Sequence, residues 1–269
     1  MGPALLFAPA DRPERFAKAA ERSDAVIVDL EDAVAPAAKA QARENMLNST
    51  LDPAKTMIRI NALDTAESAL DLAAVRASKF TTIMVAKASH VDAIAALSDF
   101  SVVALCESAA GVLAAAKLAE LPNVVALMWG AEDLVASLGG TSSRFVRGPQ
   151  AGGYRAVATH ARSQLLLAAG AAGKVAIDSI YADFADLAGL AEEAEDAVAS
   201  GFGAKASIHP SQVAVIRDAY RPTAAEVSAA GELLAAADAA GTGVFAYKGQ
   251  MVDGPILLHA RQTLRRSAT

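Results

Sequence analysis

Acidic residues stand where two neighbouring apolar runs of the sequence end. The run Val102–Cys106 leads directly into Glu107, and the next run, Val124–Trp129, is followed by Glu132 and Asp133. Apolar runs of this length are typical of strands buried on both faces in a parallel sheet covered by helices. In an α/β barrel, the carboxyl ends of such strands carry the chemistry. Acids there are equally typical of helix N-termini, where the helix dipole favours them, so both interpretations stay open.

Other predicted strands also end in charged residues. Carboxylates from neighbouring strands, together with water, suit Mg²⁺, which prefers oxygen ligands and needs few protein groups. Zinc is disfavoured because clustered cysteine and histidine ligands are absent from the sequence. Arg59 has the bidentate geometry that holds a carboxylate or an enolate oxygen, or it forms a salt bridge to a neighbouring acid, and the two roles are compatible. The charged strand-end set comprises Asp29, Glu31, Asp32, Arg59, Lys87, Glu107, Asp133, Asp178 and His209.

Four basic residues near the start of the chain are candidates for binding phosphate: Arg12, Lys18, Lys39 and Arg43. Lys39 and Arg43 lie one turn apart on a predicted helix, so they point the same way. The alternative is that all four are solvated surface residues. For His209 the alternative is a hydrogen-bonded histidine that fixes a turn.

Composition favours a globular protein with a sizeable core. The length of 269 residues suits one (β/α)8 barrel, which needs about 250. The net charge of −6 argues against nucleic acid as a partner. Since no apolar run approaches the roughly 18 residues of a membrane-spanning helix, we expect no membrane partner. The single cysteine, Cys106, lies inside an apolar run, so we expect a buried thiol and a cytoplasmic protein.

Eight predicted strands alternate with helical segments up to about residue 210, a pattern typical of a parallel α/β fold. The pattern predicts a (β/α)8 TIM barrel over residues 1–221, and a C-terminal helical arm over 222–269 that caps its own barrel or packs on a neighbouring subunit. A doubly wound sheet is the alternative, but no Gly-x-Gly-x-x-Gly follows the first strand. The predicted strands lie at 4–8, 25–32, 57–61, 82–87, 102–106, 124–129, 175–179 and 204–210.

Short motifs in order along nearly the whole chain carry a family resemblance. They include Leu6-Phe7-Ala8-Pro9, Asp29-Leu30-Glu31-Asp32, Arg59-Ile60-Asn61, Glu107-Ser108-Ala109-Ala110-Gly111, Gly130-Ala131-Glu132-Asp133, Ile208-His209-Pro210 and Met251-Val252-Asp253. The set resembles the citrate lyase beta-subunit-like (CitE-like) proteins of the HpcH/HpaI aldolase superfamily. That resemblance implies a homotrimeric barrel that uses Mg²⁺ to cleave or form a carbon–carbon bond in a 3-hydroxyacyl thioester.

The resemblance also implies roles for individual residues. Glu107 and Asp133 are expected to be the metal ligands, and Arg59 to contact the keto-acid end of the substrate. Asp253, on the C-terminal arm, is expected to enter a neighbouring subunit's site as the acid or base. The expected substrate-binding residues are Phe7, Arg12, Lys18, Lys39, Arg43, Arg59, Ile208 and His209, with the coenzyme A portion near Phe7 and the basic residues.

The expected activity is therefore a Mg²⁺-dependent lyase. It would cleave a citramalyl-, malyl- or 3-hydroxy-3-methylglutaryl-CoA thioester to acetyl-CoA and a keto acid. Two alternatives remain at this point: a beta subunit of citrate lyase acting on a citryl thioester of an acyl carrier protein, and a non-catalytic protein that binds CoA esters.

Overall fold

The computed structural model describes residues 1–268, and its central feature is a closed barrel of eight parallel strands. Each strand pairs with the next along the chain, and the first pairs with the eighth. The predicted TIM barrel is therefore confirmed. The strands are β1 Ala4–Pro9, β2 Ala25–Asp29, β3 Thr56–Ile60, β4 Thr82–Val85, β5 Ser101–Cys106, β6 Val124–Trp129, β7 Val175–Asp178 and β8 Ala204–Ser207.

Helices follow the strands and cover the outside of the barrel. They are α1 Phe16–Arg22, α2 Lys39–Leu47, α3 Ala66–Arg76, α4 Val91–Ala95, α5 Ala109–Glu120, α6 Ala131–Ser137, α7 Ala156–Ala171, α8 Leu187–Ser200 and α9 Pro210–Tyr220, with single 3-10 turns at Pro13–Arg15, Pro36–Ala38 and Pro53–Lys55. Local signals set several helix starts: the Ser108 hydroxyl accepts the Gly111 N–H at the start of α5, and Asp186 accepts the Gly189 N–H at the start of α8.

Inward-facing side chains from all eight strands fill the barrel. Because side chains alternate along a strand, every second residue points to the axis, and these residues form one buried cluster. Its members are Leu5, Ala25, Ile27, Met57, Met84, Val103, Leu105, Ala126, Met128, Ile177, Ala204 and Ala206. Cys106 faces the other way and is buried, as expected; burial, and then the charge of Glu107, raises the pKa of its thiol to about 12.

The chain divides into two compact units, Met1–Ile216 and a second that begins at Arg217. In the second unit, α10 (Ala224–Ala240) packs against α11 (Gly254–Ser267). Thr223 and Glu226 form a reciprocal capping box at the start of α10. A short hairpin of β9 (Phe245–Tyr247) and β10 (Gln250–Val252) connects the two helices. None of the helices formed by residues 1–268 combines the length and hydropathy needed to cross a bilayer.

Candidate active site

The last inward-facing residues of the strands surround a cavity at the carboxyl end of the barrel. Glu107 lies two residues beyond the core residue Leu105, just as Arg59 lies two beyond Met57, so strand alternation turns both side chains inwards. The cavity opens to solvent. It is lined by Phe7, Asp29, Ala33, Arg59, Leu105, Glu107, Met128, Gly130, Ala131, Glu132, Asp133, Arg144, Ser179, Ile180, Ala182 and Ile208.

Glu107 is the most deeply buried acid of the pair predicted to hold a metal. It is 3% exposed, and its Oε1 accepts a hydrogen bond of 3.0 Å from the backbone N–H of Lys87. Burial, and then the charge of Asp133, raises the pKa of Glu107 to about 8. A Cβ on Gly130 would lie only 2.8 Å from the Cβ of Glu107, so glycine at this position leaves room for the carboxylate.

Asp133 enters the cavity from a helix rather than from a strand. Glu132 and Asp133 both lie in the first turn of α6, so the helix-dipole interpretation holds for their position. It does not hold for Glu107, which precedes the Ser108 cap of α5. The side chain of Asp133 is 42% exposed. The position of Asp133 is therefore explained both by the start of α6 and by the cavity, whereas the position of Glu107 is explained only by the cavity.

Arg59 is held rigidly at the edge of the cavity. Its Nε and one terminal nitrogen bind the two carboxylate oxygens of Asp29 at 2.7 and 2.5 Å, and its other terminal nitrogen lies 3.2 Å from Glu31. Its guanidinium lies 4.8 Å from the ring centroid of Phe7. Burial opposes the charge, but the hydrogen bonds and charge of Asp29, together with the charges of Glu31 and Glu107, outweigh it and raise the pKa of Arg59. The salt bridge anticipated from the sequence is present, and the side chain still lines the cavity.

Lys87 links the acids around this edge. Its ammonium forms ion pairs with Glu31 and, at 3.1 Å, with Asp32, and it lies 4.0 Å from Asp133. Burial opposes its charge, but the contacts with Glu31 and Asp32, together with the charge of Glu107, outweigh it and raise the pKa of Lys87. Its φ of 50° is in the left-handed region, which costs energy for a residue with a side chain. This backbone conformation accompanies the amide's hydrogen bond to Glu107.

The charges of the cavity match a divalent cation with few protein ligands. Four carboxylates line it against two guanidinium groups, which leaves an excess of two negative charges when all are ionised. Glu107 and Asp133 offer the hard oxygen donors that Mg²⁺ prefers, and Mg²⁺ keeps several of its waters. Within residues 1–268, no group of three or more Asp, Glu, His or Cys side chains is arranged as a fuller metal cage. A two-carboxylate site fits Mg²⁺ better than zinc or calcium.

Lys39 and Arg43 bind groups of the protein itself. The buried Lys39 ammonium donates to Asn61 at 2.8 Å and to two backbone carbonyls that follow β2. Arg43 donates to Glu67 at 2.7 Å and to the fully buried Asp71 at 2.8 Å. Neither lines the cavity. These contacts give both residues a role in joining elements of the barrel, and the coenzyme A contact expected of them stays a prediction.

Some of the other expected substrate-binding residues line the cavity and others do not. Ile208 lines the cavity. Arg12 and Lys18 are exposed and do not line it. His209 is exposed, and its Nδ1 lies 2.7 Å from the hydroxyl and 3.2 Å from the backbone nitrogen of Ser211, which is the turn-fixing arrangement weighed above.

Asp253 belongs to the second compact unit. It lies between β10 and α11, at the position that caps α11, but its side chain makes no capping hydrogen bond with the described chain. Its carboxylate is therefore not committed to the helix that it precedes. Its placement in an active site stays a prediction.

Arg144 is a cavity residue that sequence patterns did not single out. It lies in the segment between α6 and α7, which is rich in glycine. Nearby, the buried Ser143 hydroxyl donates to Glu132 at 2.5 Å. Without helical or strand periodicity in this segment, no spacing rule could turn Arg144 towards the cavity.

A second group of charges is buried between the barrel and its helices. Lys205, 0% exposed, donates to Asp178 at 2.9 Å and to Glu193 at 2.8 Å. Asp178, also 0% exposed, accepts further hydrogen bonds from Arg162 at 3.0 Å and from the Trp129 indole at 2.7 Å. Burial opposes the charge on Asp178, but Lys205 and Arg162 outweigh it and lower its pKa. The cluster ties β7 and β8 to α7 and α8.

Comparisons with known proteins find matches over most of the chain. Residues 4–210 match the model of the family described as HpcH/HpaI aldolase/citrate lyase. A citrate lyase subunit beta-like protein of Mycobacterium tuberculosis is 49% identical over 266 residues, which cover 99% of this chain and 96% of that protein. A (3S)-malyl-CoA thioesterase of Cereibacter sphaeroides is 33% identical over 276 residues, covering 98% of this chain and 93% of the relative.

A solved structure is similar over the whole chain. It is that of the protein CitE from Mycobacterium tuberculosis in complex with magnesium, acetoacetate and coenzyme A, 49% identical, with a TM-score of 0.93. The alignment covers 100% of this chain and 98% of that one. The similarity therefore includes both compact units as well as the strand ends that surround the cavity.

Proposed function

Because the chain belongs to the HpcH/HpaI aldolase/citrate lyase family, we propose that it is a Mg²⁺-dependent lyase of 3-hydroxyacyl-CoA thioesters. The proposed substrates are of the citramalyl-, malyl- or 3-hydroxy-3-methylglutaryl-CoA type, and the products are acetyl-CoA and a keto acid. The observation that carries the proposal is the convergence of Glu107, Asp133 and Arg59 on one cavity at the carboxyl end of the barrel.

Glu107 and Asp133 are the proposed ligands of Mg²⁺. When bound, the ion would supply Lewis-acid polarisation of the oxygen atoms at the reacting carbon. The two carboxylates fit this role because the charge of Asp133 adds to burial in disfavouring the ionised form of Glu107, a cost that a cation offsets. The CitE protein of M. tuberculosis, whose structure is a complex with magnesium, supports Mg²⁺ as the ion.

In the proposed reaction, the 3-hydroxyl group loses its proton and the C2–C3 bond breaks. Carbon 3 becomes the carbonyl carbon of the keto acid, and the electron pair of the broken bond passes to the thioester fragment as an enolate. Protonation of that fragment at C2 gives acetyl-CoA. Arg59 is suited to stabilise the developing negative charge, because Asp29 holds its guanidinium in place before substrate arrives.

Asp253 is the proposed base for the 3-hydroxyl proton. Its side chain is not used to cap α11, which supports a role elsewhere. We propose that a neighbouring subunit of a homotrimer supplies it. Asp253→Asn should then lower turnover while keto-acid binding is retained, whereas Asp238→Asn, an exposed change on α10, should leave both unchanged.

The first experiment is a cleavage assay with purified protein. It uses a panel of citramalyl-, malyl- and 3-hydroxy-3-methylglutaryl-CoA, with Mg²⁺ or with a chelator, and follows acetyl-CoA and keto-acid release. We expect chelator-sensitive cleavage of at least one thioester, abolished by Glu107→Gln and retained by Glu120→Gln, which changes an exposed residue of α5.

The same assay tests the alternatives. Release of free CoA and an intact hydroxy acid would replace the lyase with a thioesterase, the activity named for the C. sphaeroides relative. Turnover only with a carrier-protein thioester would indicate a citrate lyase beta subunit. Binding of CoA esters without any turnover would indicate a non-catalytic binding protein.

A further inference from the structure

Lys87 contacts both of the proposed metal ligands, with two different parts of the residue. Its backbone N–H donates to Oε1 of Glu107 at 3.0 Å, and its ammonium lies 4.0 Å from Oδ1 of Asp133. Lys87 itself does not line the cavity. It can therefore influence what the cavity binds only through the acids that it contacts.

The backbone of Lys87 determines which oxygen of Glu107 is already occupied. The amide hydrogen bond uses Oε1, whereas Oε2 is the oxygen next to Gly130, where an added Cβ would lie 2.9 Å from it. Gly130 directly precedes α6, and the first turn of α6 carries Asp133. Oε2 of Glu107 is therefore directed to the side from which Asp133 enters the cavity, as a shared cation would require.

The ammonium of Lys87 is kept beside the acid pair by acids of another loop. It forms ion pairs with Glu31 and, at 3.1 Å, with Asp32, both of which follow β2. Glu31 is buried and also lies 3.2 Å from a terminal nitrogen of Arg59. These contacts hold the positive charge in place, although the side chain of Lys87 is 39% exposed and solvent screens its field.

A positive charge fixed beside the metal ligands acts in opposite directions on a cation and on an anion. It opposes the approach of Mg²⁺ and favours that of a carboxylate. Because Mg²⁺ carries two charges and a monocarboxylate one, the same potential changes the free energy of Mg²⁺ binding about twice as much. General damage to a site weakens both ligands, so opposite changes are a specific sign of an electrostatic role.

We propose that Lys87 is a positioning residue whose ammonium sets the charge balance of the metal site. It makes the protein bind Mg²⁺ less tightly and the keto-acid anion more tightly than the carboxylates alone would. This inference rests on the proposed function, in which Glu107 and Asp133 hold the ion. Because Mg²⁺ and the acid compensate each other's charge, the site is filled best by the two together.

The test is calorimetric binding to the whole chain, and it requires no turnover. Mg²⁺ is titrated into metal-free protein, and pyruvate, as a simple keto acid, is titrated into protein saturated with Mg²⁺. Lys87→Gln removes the charge and keeps the backbone amide. We expect it to raise the affinity for Mg²⁺ about 10-fold and to lower the affinity for pyruvate about 3-fold. Both changes should diminish at high salt, because the ammonium is partly exposed.

Three further variants separate charge from conformation. Lys87→Gly also removes the charge, but glycine adopts the φ of 50° without strain, so this variant tests the proposal if Lys87→Gln folds poorly. It should show the same opposite changes. Lys87→Arg keeps the charge and should bind both ligands nearly as the wild type does. Lys117→Gln is the matched control, because it removes a positive charge from an exposed position on α5 and should change neither affinity.

The results that would overturn the inference differ from those that would overturn the proposed function. If Lys87→Gln and Lys87→Gly weaken both ligands together, or change neither, Lys87 has a structural role only. If Lys87→Arg shifts the two affinities as Lys87→Gln does, the charge is not responsible. In these cases the lyase proposal still stands. If the wild-type protein binds no Mg²⁺, both proposals fail.

Discussion

Replacement of Asp178 by Asn should destabilise the protein strongly, although the two side chains have nearly the same shape. Asn keeps an oxygen for the Trp129 indole but removes the negative charge that faces Lys205 and Arg162. Lys205 is 0% exposed and would retain only Glu193 as an acidic partner. Breaking a buried ion pair from one side costs about 3–5 kcal/mol. With a urea m-value of about 2–3 kcal/mol/M, the unfolding midpoint should fall by about 1–2.5 M.

Urea unfolding followed by circular dichroism measures this loss, and pH gives its signature. Lys205 and Arg162 lower the pKa of Asp178 despite burial, so its stabilisation is present above the unfolded value of 3.8 and is lost as pH falls through the folded pKa below it. The difference between wild type and variant should therefore shrink in acid. Adding Lys205→Met should recover part of the loss at pH 7, because it removes the unpaired buried charge.

The matched control is Asp99→Asn, which breaks an exposed pair with Arg76 and should leave the unfolding midpoint unchanged. A loss below about 1 kcal/mol for Asp178→Asn at pH 7, or a difference that grows on acidification, would show that the buried charge of Asp178 does not stabilise the fold.

Two further substitutions test the site and its supports. Gly130→Ala should displace the Glu107 carboxylate, because the new Cβ would lie 2.8 Å from the Cβ of Glu107. We expect this displacement to lower turnover about 100-fold. Gly170→Ala is the control, because its new Cβ would meet no neighbouring atom within 4 Å, and steady-state turnover should be unchanged. Lys39→Met should lower the free energy of unfolding, measured in urea, by about 2–4 kcal/mol, because it leaves buried oxygen acceptors without a donor. A folded variant with unchanged stability but weaker CoA binding would instead support the phosphate contact predicted from the sequence.

The barrel could be predicted because the strands have recognisable local sequence patterns. Apolar runs bounded by helical segments identify most of the strands, although β8 contains Lys205. The alternation within a strand also determines which residues face inwards. Glu107 was recognisable for the same reason, since it is the first charged residue after an uninterrupted apolar run. The strand ends were less certain: β8 ends at Ser207, so Ile208 and His209 belong to the turn before α9.

Roles that depend on distant partners could not be predicted from spacing. Lys39 and Arg43 lie one turn apart, which is compatible with phosphate binding, but their partners Asn61 and Asp71 come from other elements of the chain. The hairpin of β9 and β10 was also missed. Its strands have three residues each, too few for alternation to register, although Lys248 and Gly249 both adopt the positive φ expected of a tight hairpin turn.

The pairing of β1 with β8 has a consequence for how the chain is made. The Ser207 hydroxyl donates to the Leu5 carbonyl at 2.7 Å. The ring therefore closes only when β8, the last strand of the barrel, has been made and pairs with β1, the first strand of the chain. At about 5–20 residues per second, roughly 10–40 s of translation separate the two strands. Until then β1 and the most recently formed strand are open sheet edges, which are templates for association with other chains. The rate of translation therefore determines how long these unpaired strand edges can associate with other chains.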